Sequence, residues 1–233
     1  MLTWYLMDKG TAKPGRKMKI LSMINQKGGS GRSCLSAHLS VAFEQAGVST
    51  VILDMDQQAS ITRWGDSRKA EAPLVAHGQS DRLEKMLKTA AEAGLQLAII
   101  DTPPHTTRIS AEAVSVADLI LIPTRPGRFE TDALDDTVKL LFPAKKEKAA
   151  IAVLNGVPTR GSAVADEAEA VLKSFQLEVA PVRIAYRWPL HYALFDGQGI
   201  TEFEPRGKAA AEIRALQKFL AGRLGLSKRK AST

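Results

Sequence analysis

Apolar residues along this chain fall into two patterns that take turns. Short, nearly continuous apolar runs occupy positions 20–24, 48–53, 95–100, 119–123 and 149–154. Runs of that length suit strands, and their lack of alternation predicts strands covered on both faces. Between them, apolar positions recur at helical spacing. Leu35, Leu39, Ala42 and Phe43 lead to a stop at Gly47, and 81–93 ends at Gly94. Further helical stretches are predicted at 111–117, 132–142 and 163–175. A last helix is expected over 206–224, with Ile213, Leu216, Leu220 and Leu224 on one stripe and Arg214, Lys218 and Arg223 off it. The stripe is modest and alanine-rich, so it is expected to dock on the core. Strand-like residues lie near 179–184, whereas 124–127 reads as a turn and 145–148 as a solvated link. Residues 61–79 lack a clear period, and Trp64 and Pro73 there suggest a surface excursion. Alternating strands and helices predict an α/β fold with a doubly wound, mainly parallel sheet and helices on both faces. Residues 1–17 are expected to be an N-terminal extension, and 18–233 one domain.

Composition narrows the class. With 233 residues, 45% hydrophobic and 24% charged, the chain can bury a full core and shows no bias toward disorder. No apolar run approaches the roughly 20 residues that span a bilayer, and the N-terminus lacks the apolar core of a signal peptide. One cysteine, Cys34, excludes an internal disulfide and an all-cysteine metal cage. A cytoplasmic location is expected. His38, His77, His105 and His191 are scattered without ligand spacing and read as structural. The net charge of +7 is concentrated at the end: from Arg206 onward, eight Lys/Arg face one acid, Glu212. Lys208, Lys228, Arg229 and Lys230 belong to that set. Such an excess points to a polyanionic partner, or to a solvated face that serves solubility.

The chemistry begins where the first run ends, at Asn25-Gln26-Lys27-Gly28-Gly29-Ser30-Gly31-Arg32-Ser33-Cys34. Strand, glycine-rich turn, helix: this order lets successive N–H groups converge on one concavity, and the helix dipole favours an anion there. Ser33 stands where a hydroxyl would reach Mg²⁺. Downstream, the second run delivers Asp54-Met55-Asp56 and the third delivers Asp101. In open α/β sheets, carboxylates at strand C-termini face the ligand crevice. Two carboxylates one residue apart cannot point the same way on a strand, so one can serve a metal shell and the other a water.

Lys27-Gly28-Gly29-Ser30-Gly31-Arg32-Ser33 resembles the deviant Walker A motif K-G-G-x-G-K-[ST] of the ParA/MinD ATPases, with Arg32 in the lysine position. Asp54-Met55-Asp56-Gln57-Gln58-Ala59-Ser60 is similar to that family's D-x-D-P-Q-x-[SN], with Gln57 replacing proline. Asp101-Thr102-Pro103-Pro104 resembles its D-x-[PA]-P. The segment 183–205, with Arg187, Ala193, Gly199, Thr201 and Glu202, resembles the region leading into the last helix.

The resemblance implies ATP and Mg²⁺ as ligands and phosphoryl transfer from ATP to water. It implies nucleotide contacts from Lys27, Gly28, Gly29, Ser30, Gly31, Arg32, Ser33 and Cys34. Asn155 would meet the adenine, although a strand-ending asparagine equally suits a turn. Ser33, Asp54 and Asp101 would serve the metal, and Asp56 the attacking water. Lys27 would reach the phosphates of a second subunit in an ATP-dependent homodimer. A ParB-like or adaptor protein would stimulate hydrolysis. Nonspecific DNA would be bound, giving nucleoid association, through Arg183, Arg187, Arg206, Arg214, Lys218 and Arg223.

The alternatives are a MinD-like membrane-positioning ATPase and a DNA-binding module silenced by Arg32. A nitrogenase-reductase relative is excluded by the single cysteine. A ligase of the dethiobiotin synthetase kind would leave the basic terminus unexplained.

Overall fold

The computed structural model describes residues 17–105, 107–127, 134–161 and 163–227. The expected extension, apart from Lys17, and the basic tail residues Lys228, Arg229 and Lys230 lie outside the described residues, as do the first two residues of the helix expected at 132–142.

The apolar runs become strands β1 (Lys19–Met23), β2 (Thr50–Asp54), β4 (Leu97–Asp101), β5 (Leu119–Thr124) and β6 (Ala150–Val157), joined by β3 (Leu74–His77), β7 (Glu178–Val179) and β8 (Ile184–Ala185). They form one sheet in the order β3-β2-β4-β1-β5-β6-β7, with β8 also on β6, and each described pairing is parallel. Strand order reverses around β1, which lies between β4 and β5. The loops leaving β1, β4 and β5 therefore open onto one crevice.

Side chains alternate across the sheet with the period of two that strands impose. Leu21, Met23, Leu97, Ile99, Leu119 and Leu121 pack on one face against helices α1 (Arg32–Gln45) and α9 (Lys208–Leu224). Ala98, Ile100, Ile120, Ile122 and Leu154 pack on the other, under α3 (Leu83–Glu92), α4 (Thr107–Val116), α5 (Leu134–Lys139) and α6 (Ala163–Ser174). Ile213, Leu216, Leu220 and Leu224 are all buried, so the stripe on α9 docks on the core as expected.

One stretch departs from the sequence expectation. The supposed surface excursion contains helix α2 (Ser60–Ser67) and strand β3, and Trp64 is buried with Ala37, Val41, Ile52 and Ile61. Only Ile61 and Trp64 face inward along eight residues, too short a stripe to register as a period. The segment before α9 folds as α7 (Trp188–Phe195) and α8 (Ile200–Phe203). Arg68 ties these pieces together. It bonds Glu202 through both terminal nitrogens (3.0 and 3.1 Å), donates to the carbonyl oxygen of Gly197, and stacks on Trp64. His38 joins α1 to the same region: its Nδ1 accepts from the Ile200 N–H (3.0 Å) and its Nε2 meets the Leu190 carbonyl (3.0 Å).

Candidate nucleotide site

The turn between β1 and α1 is a phosphate nest by its backbone. Gly29 and Gly31 have φ of 75° and 96°, left-handed values that turn successive N–H groups toward one side. A Cβ at Gly31 would overlap Asn155 Nδ2, so glycine is required there twice over. Gly28 and Gly29 are exposed at the rim, and no side chain caps the N-terminus of α1. The open N–H groups of that helix end are what an anion would satisfy.

The loop is pinned from below. Asn25 Nδ2 donates to the Pro123 carbonyl (2.7 Å), and Asn25 Oδ1 accepts from the Lys27 N–H (2.8 Å). Gln26 N–H donates to Thr137 Oγ1 on α5 (3.1 Å). Asn155 Nδ2 donates to the Ser30 carbonyl (2.8 Å). Asn155 thus lies within β6 rather than in a turn, and braces the loop directly. Lys27 is half-buried beside the exposed glycines. Cys34 follows Ser33 in the first turn of α1, and burial pushes its thiol up to about 12, against the opposing pull of Arg125.

Arg32 does not extend into the nest. It is buried, and its Nη1 donates back to the carbonyl oxygens of Asn25 and of Lys27, the latter at 2.9 Å. Burial lowers its pKa from the ordinary arginine value, while Asp101 and Asp56 oppose that shift.

The carboxylates converge through strand register. β4 pairs Asp101 with Met23 on one side and Asp54 on the other. Ser33 Oγ donates to Asp101 Oδ2 (2.7 Å), and Ser36 Oγ to Asp101 Oδ1 (3.0 Å). Burial raises Asp101 from 3.8 to about 6; the two serine hydroxyls hold it down, and nearby Asp54 adds to the rise. Asp54 is also fully buried, but both its oxygens are committed. Oδ1 accepts from the Asp56 N–H (3.2 Å), and Oδ2 from Thr62 N–H (2.9 Å) and Thr62 Oγ1 (2.8 Å). Of the expected metal group, Ser33 and Asp101 therefore touch, while Asp54 anchors the loop that carries Asp56. Asp56 is half-exposed, with Oδ1 accepting from the Gln58 N–H (2.9 Å).

Does this site suit a Mg²⁺–nucleotide? Gln26 Nε2, Ser30 Oγ and Arg32 Nε are buried polar atoms without a hydrogen-bond partner, all within this loop. Orphans so clustered mark a place where a polar ligand belongs. Among the described residues no group of three or more His, Cys, Asp or Glu side chains forms a metal cage. A hydroxyl–carboxylate pair beside a phosphate nest instead matches Mg²⁺, which keeps waters and takes its other ligands from phosphate. The residues fit both groups.

The basic surface differs from its sequence picture. Arg183 pairs with Glu169 (2.6 Å) and Asp166 (2.7 Å), Arg187 with Glu212 (2.8 Å), and Arg223 with Glu178 (2.6 Å). Half of the six candidate DNA contacts are thus neutralised by acids, two of them (Arg183 and Arg223) by acids outside the C-terminal segment. Arg206, Lys208, Arg214 and Lys218 remain exposed, with Arg214 donating to the Pro205 carbonyl (2.6 Å).

A parallel sheet with a phosphate nest after its first strand and a Ser–Asp pair beneath it defines a P-loop nucleotide-binding protein. Residues 21–187 match the CobQ/CobB/MinD/ParA nucleotide binding domain, and the chain belongs to that family. It is similar to maintenance of carboxysome distribution protein A of Halothiobacillus neapolitanus, 26% identical over 201 residues, covering 82% of this chain and 91% of that protein. It is 31% identical over 135 residues to protein ParA of Rhizobium radiobacter, covering 57% and 59%. Among solved structures, the septum site-determining protein MinD of Pyrococcus horikoshii OT3, complexed with Mg-ADP, shares the fold at a TM-score of 0.71 and 18% identity, covering 91% of this chain and 100% of that one. Among the described residues no helix is long and apolar enough to cross a membrane.

Proposed function

We propose that this chain is a partition or positioning ATPase that binds Mg²⁺-ATP, dimerises on it, associates with DNA without sequence preference and hydrolyses ATP to water. The observation that carries the reading is the phosphate nest at 28–31, set over the Ser33–Asp101 pair with three orphaned polar atoms around it.

Each residue then has a task. The N–H groups of Gly28, Gly29, Ser30, Gly31, Ser33 and Cys34 cradle the phosphates, and Asn155 holds the loop in shape beside the base. Ser33 and Asp101 hold Mg²⁺, which when bound neutralises phosphate charge during transfer. Asp54 acts on the metal side by fixing the Asp56 loop, and Asp56 orients the attacking water. Lys27 reaches the phosphates of a second subunit. The relative named for carboxysome distribution supports cargo positioning. A ParB-like or adaptor protein would stimulate hydrolysis. A cytoplasmic, nucleoid-associated location follows from that role.

The test is light scattering with ATP and Mg²⁺ for the parent and for Lys27→Ala. The parent should become dimeric only with ATP, and Lys27→Ala should stay monomeric. Full ATP-dependent dimerisation without Lys27 would remove its role across the interface.

One observation favours a weaker enzyme. With Arg32 turned onto the carbonyls of Asn25 and Lys27, its charge braces the loop rather than meeting phosphate. Binding then depends on the backbone nest, and turnover is slow. The membrane-positioning alternative is not favoured, because the helix it needs free has its apolar stripe buried.

A further inference from the structure

We propose that the aromatic face of α7 is part of a dimer interface and that its occupant is a second copy of this chain. The inference rests on the ATP-dependent dimer above and deepens it by naming the surface.

Five of the seven large apolar side chains that are exposed among the described residues fall within 186–203. Trp188, Tyr192 and Phe195 recur at the i, i+4, i+7 spacing of one helix face and are 60, 53 and 84% exposed. The rings meet one another: Trp188 stacks on Tyr192 (6.1 Å between centroids), and Tyr186 meets Trp188 edge-on (5.8 Å). A contiguous ridge of this kind on a folded domain marks an interaction site.

Its place in the fold points to a second copy. Phe195 and His191 line a groove of about 400 Å³ that also includes Trp64 and Ile61 of α2 and reaches Ser33 and Cys34 at the start of α1. Through Phe195 the ridge therefore reaches the start of α1, next to the nest whose rim must face its own copy if Lys27 acts across subunits. The four rings offer roughly 500 Å², against about 800 Å² per partner in a stable interface. The exposed rim at Gly28 and Gly29 adds a further part.

Charge agrees. A surface that meets itself across a two-fold must not oppose like charges. Two of the cations bordering this one are already paired, Arg187 with Glu212 and Arg68 with Glu202, while Arg63 in the groove donates to the Gln58 carbonyl. Those pairings lower the attraction to anionic lipid that an interfacial helix relies on.

The experiment is sedimentation velocity of the full chain with ATPγS and Mg²⁺, for the parent, Trp188→Ala/Tyr192→Ala and Phe195→Ser, with ADP affinity measured in parallel. These side chains are exposed, so folding and ADP affinity should be unchanged. The dimer dissociation constant should rise by at least about 30-fold in the variants, while Trp188→Phe should dimerise like the parent. Variants that dimerise as the parent does would overturn the ridge as an interface and leave the ATP-dependent dimer standing. A parent that stays monomeric with ATPγS would remove the dimer itself, and this inference with it. Flotation of the parent with phosphatidylglycerol vesicles, lost in the variants, would assign the ridge to lipid instead.

Discussion

The Ser33 hydroxyl donates to Asp101 Oδ2 at 2.7 Å, joining the first turn of α1 to the end of β4. Two residues far apart in sequence thus form a polar floor beside the phosphate nest. Ser33→Ala should raise the Mg²⁺ needed for half-maximal ATP binding by roughly 10- to 100-fold. Calorimetric titration at several Mg²⁺ concentrations checks this, and unchanged Mg²⁺ dependence would take Ser33 out of the metal site.

Arg32 is expected to limit turnover. A lysine there is a compact charge on a flexible stem, able to leave the loop carbonyls for a phosphate oxygen, whereas the planar guanidinium is held by geometry. Arg32→Lys should raise turnover by roughly tenfold, about 1.4 kcal/mol of barrier. Phosphate release under saturating ATP is the measurement. Equal or slower turnover would show a site built around arginine.

His38 should make stability fall on acidification. Burial lowers its pKa from 6.5 to about 4, opposed by the Leu190 carbonyl. The unfolded chain therefore binds a proton at this position between those values while the native chain does not. Its contribution is fully present above pH 6.5 and is lost as the pH falls toward 4, at up to about 1.4 kcal/mol per unit. Urea unfolding of the parent and His38→Gln at pH 7 and pH 5 checks it. The variant is less stable at pH 7 but should lose less between the two. Identical pH dependence in both would remove His38 as the cause.

The sheet was legible because β1, β2, β4, β5 and β6 are buried on both faces, so their apolar runs stand out uninterrupted. The nest was legible because its backbone turns need glycine at Gly29 and Gly31 wherever the rest of the chain goes. Pairings between distant residues were not. Nothing near Arg223 announces Glu178, and nothing near Asn155 announces Ser30, because both meet only once strands β6 and β7 are in place. Asp54 was placed correctly at a strand end, but Thr62, which occupies it, sits on a helix too short to show a period.

Those pairings sharpen the DNA prediction. Exposed Arg206, Arg214 and Lys218 should carry phosphate contact, and Arg223, already bonded to Glu178, little of it. Replacing the first three by alanine should lower the slope of log K against log salt by about 3 per subunit. Arg223→Ala should leave it nearly unchanged. Fluorescence anisotropy on two unrelated duplexes with ATP, across salt concentrations, separates these outcomes. A triple variant that binds like the parent would place the surface elsewhere.

Asp56→Ala tests the central claim most directly, with equilibrium ATP binding and phosphate release measured on the same preparation. Asp56 is half-exposed and, among the described residues, its carboxylate accepts only from the Gln58 N–H within its own turn, so its loss should leave the nest intact. ATP should bind within about threefold of the parent, under 0.7 kcal/mol, while phosphate release falls by at least roughly 100-fold, about 2.7 kcal/mol. Loss of binding together with hydrolysis would make Asp56 a structural residue, and undiminished hydrolysis would contradict the assignment of this site as the place where ATP meets water.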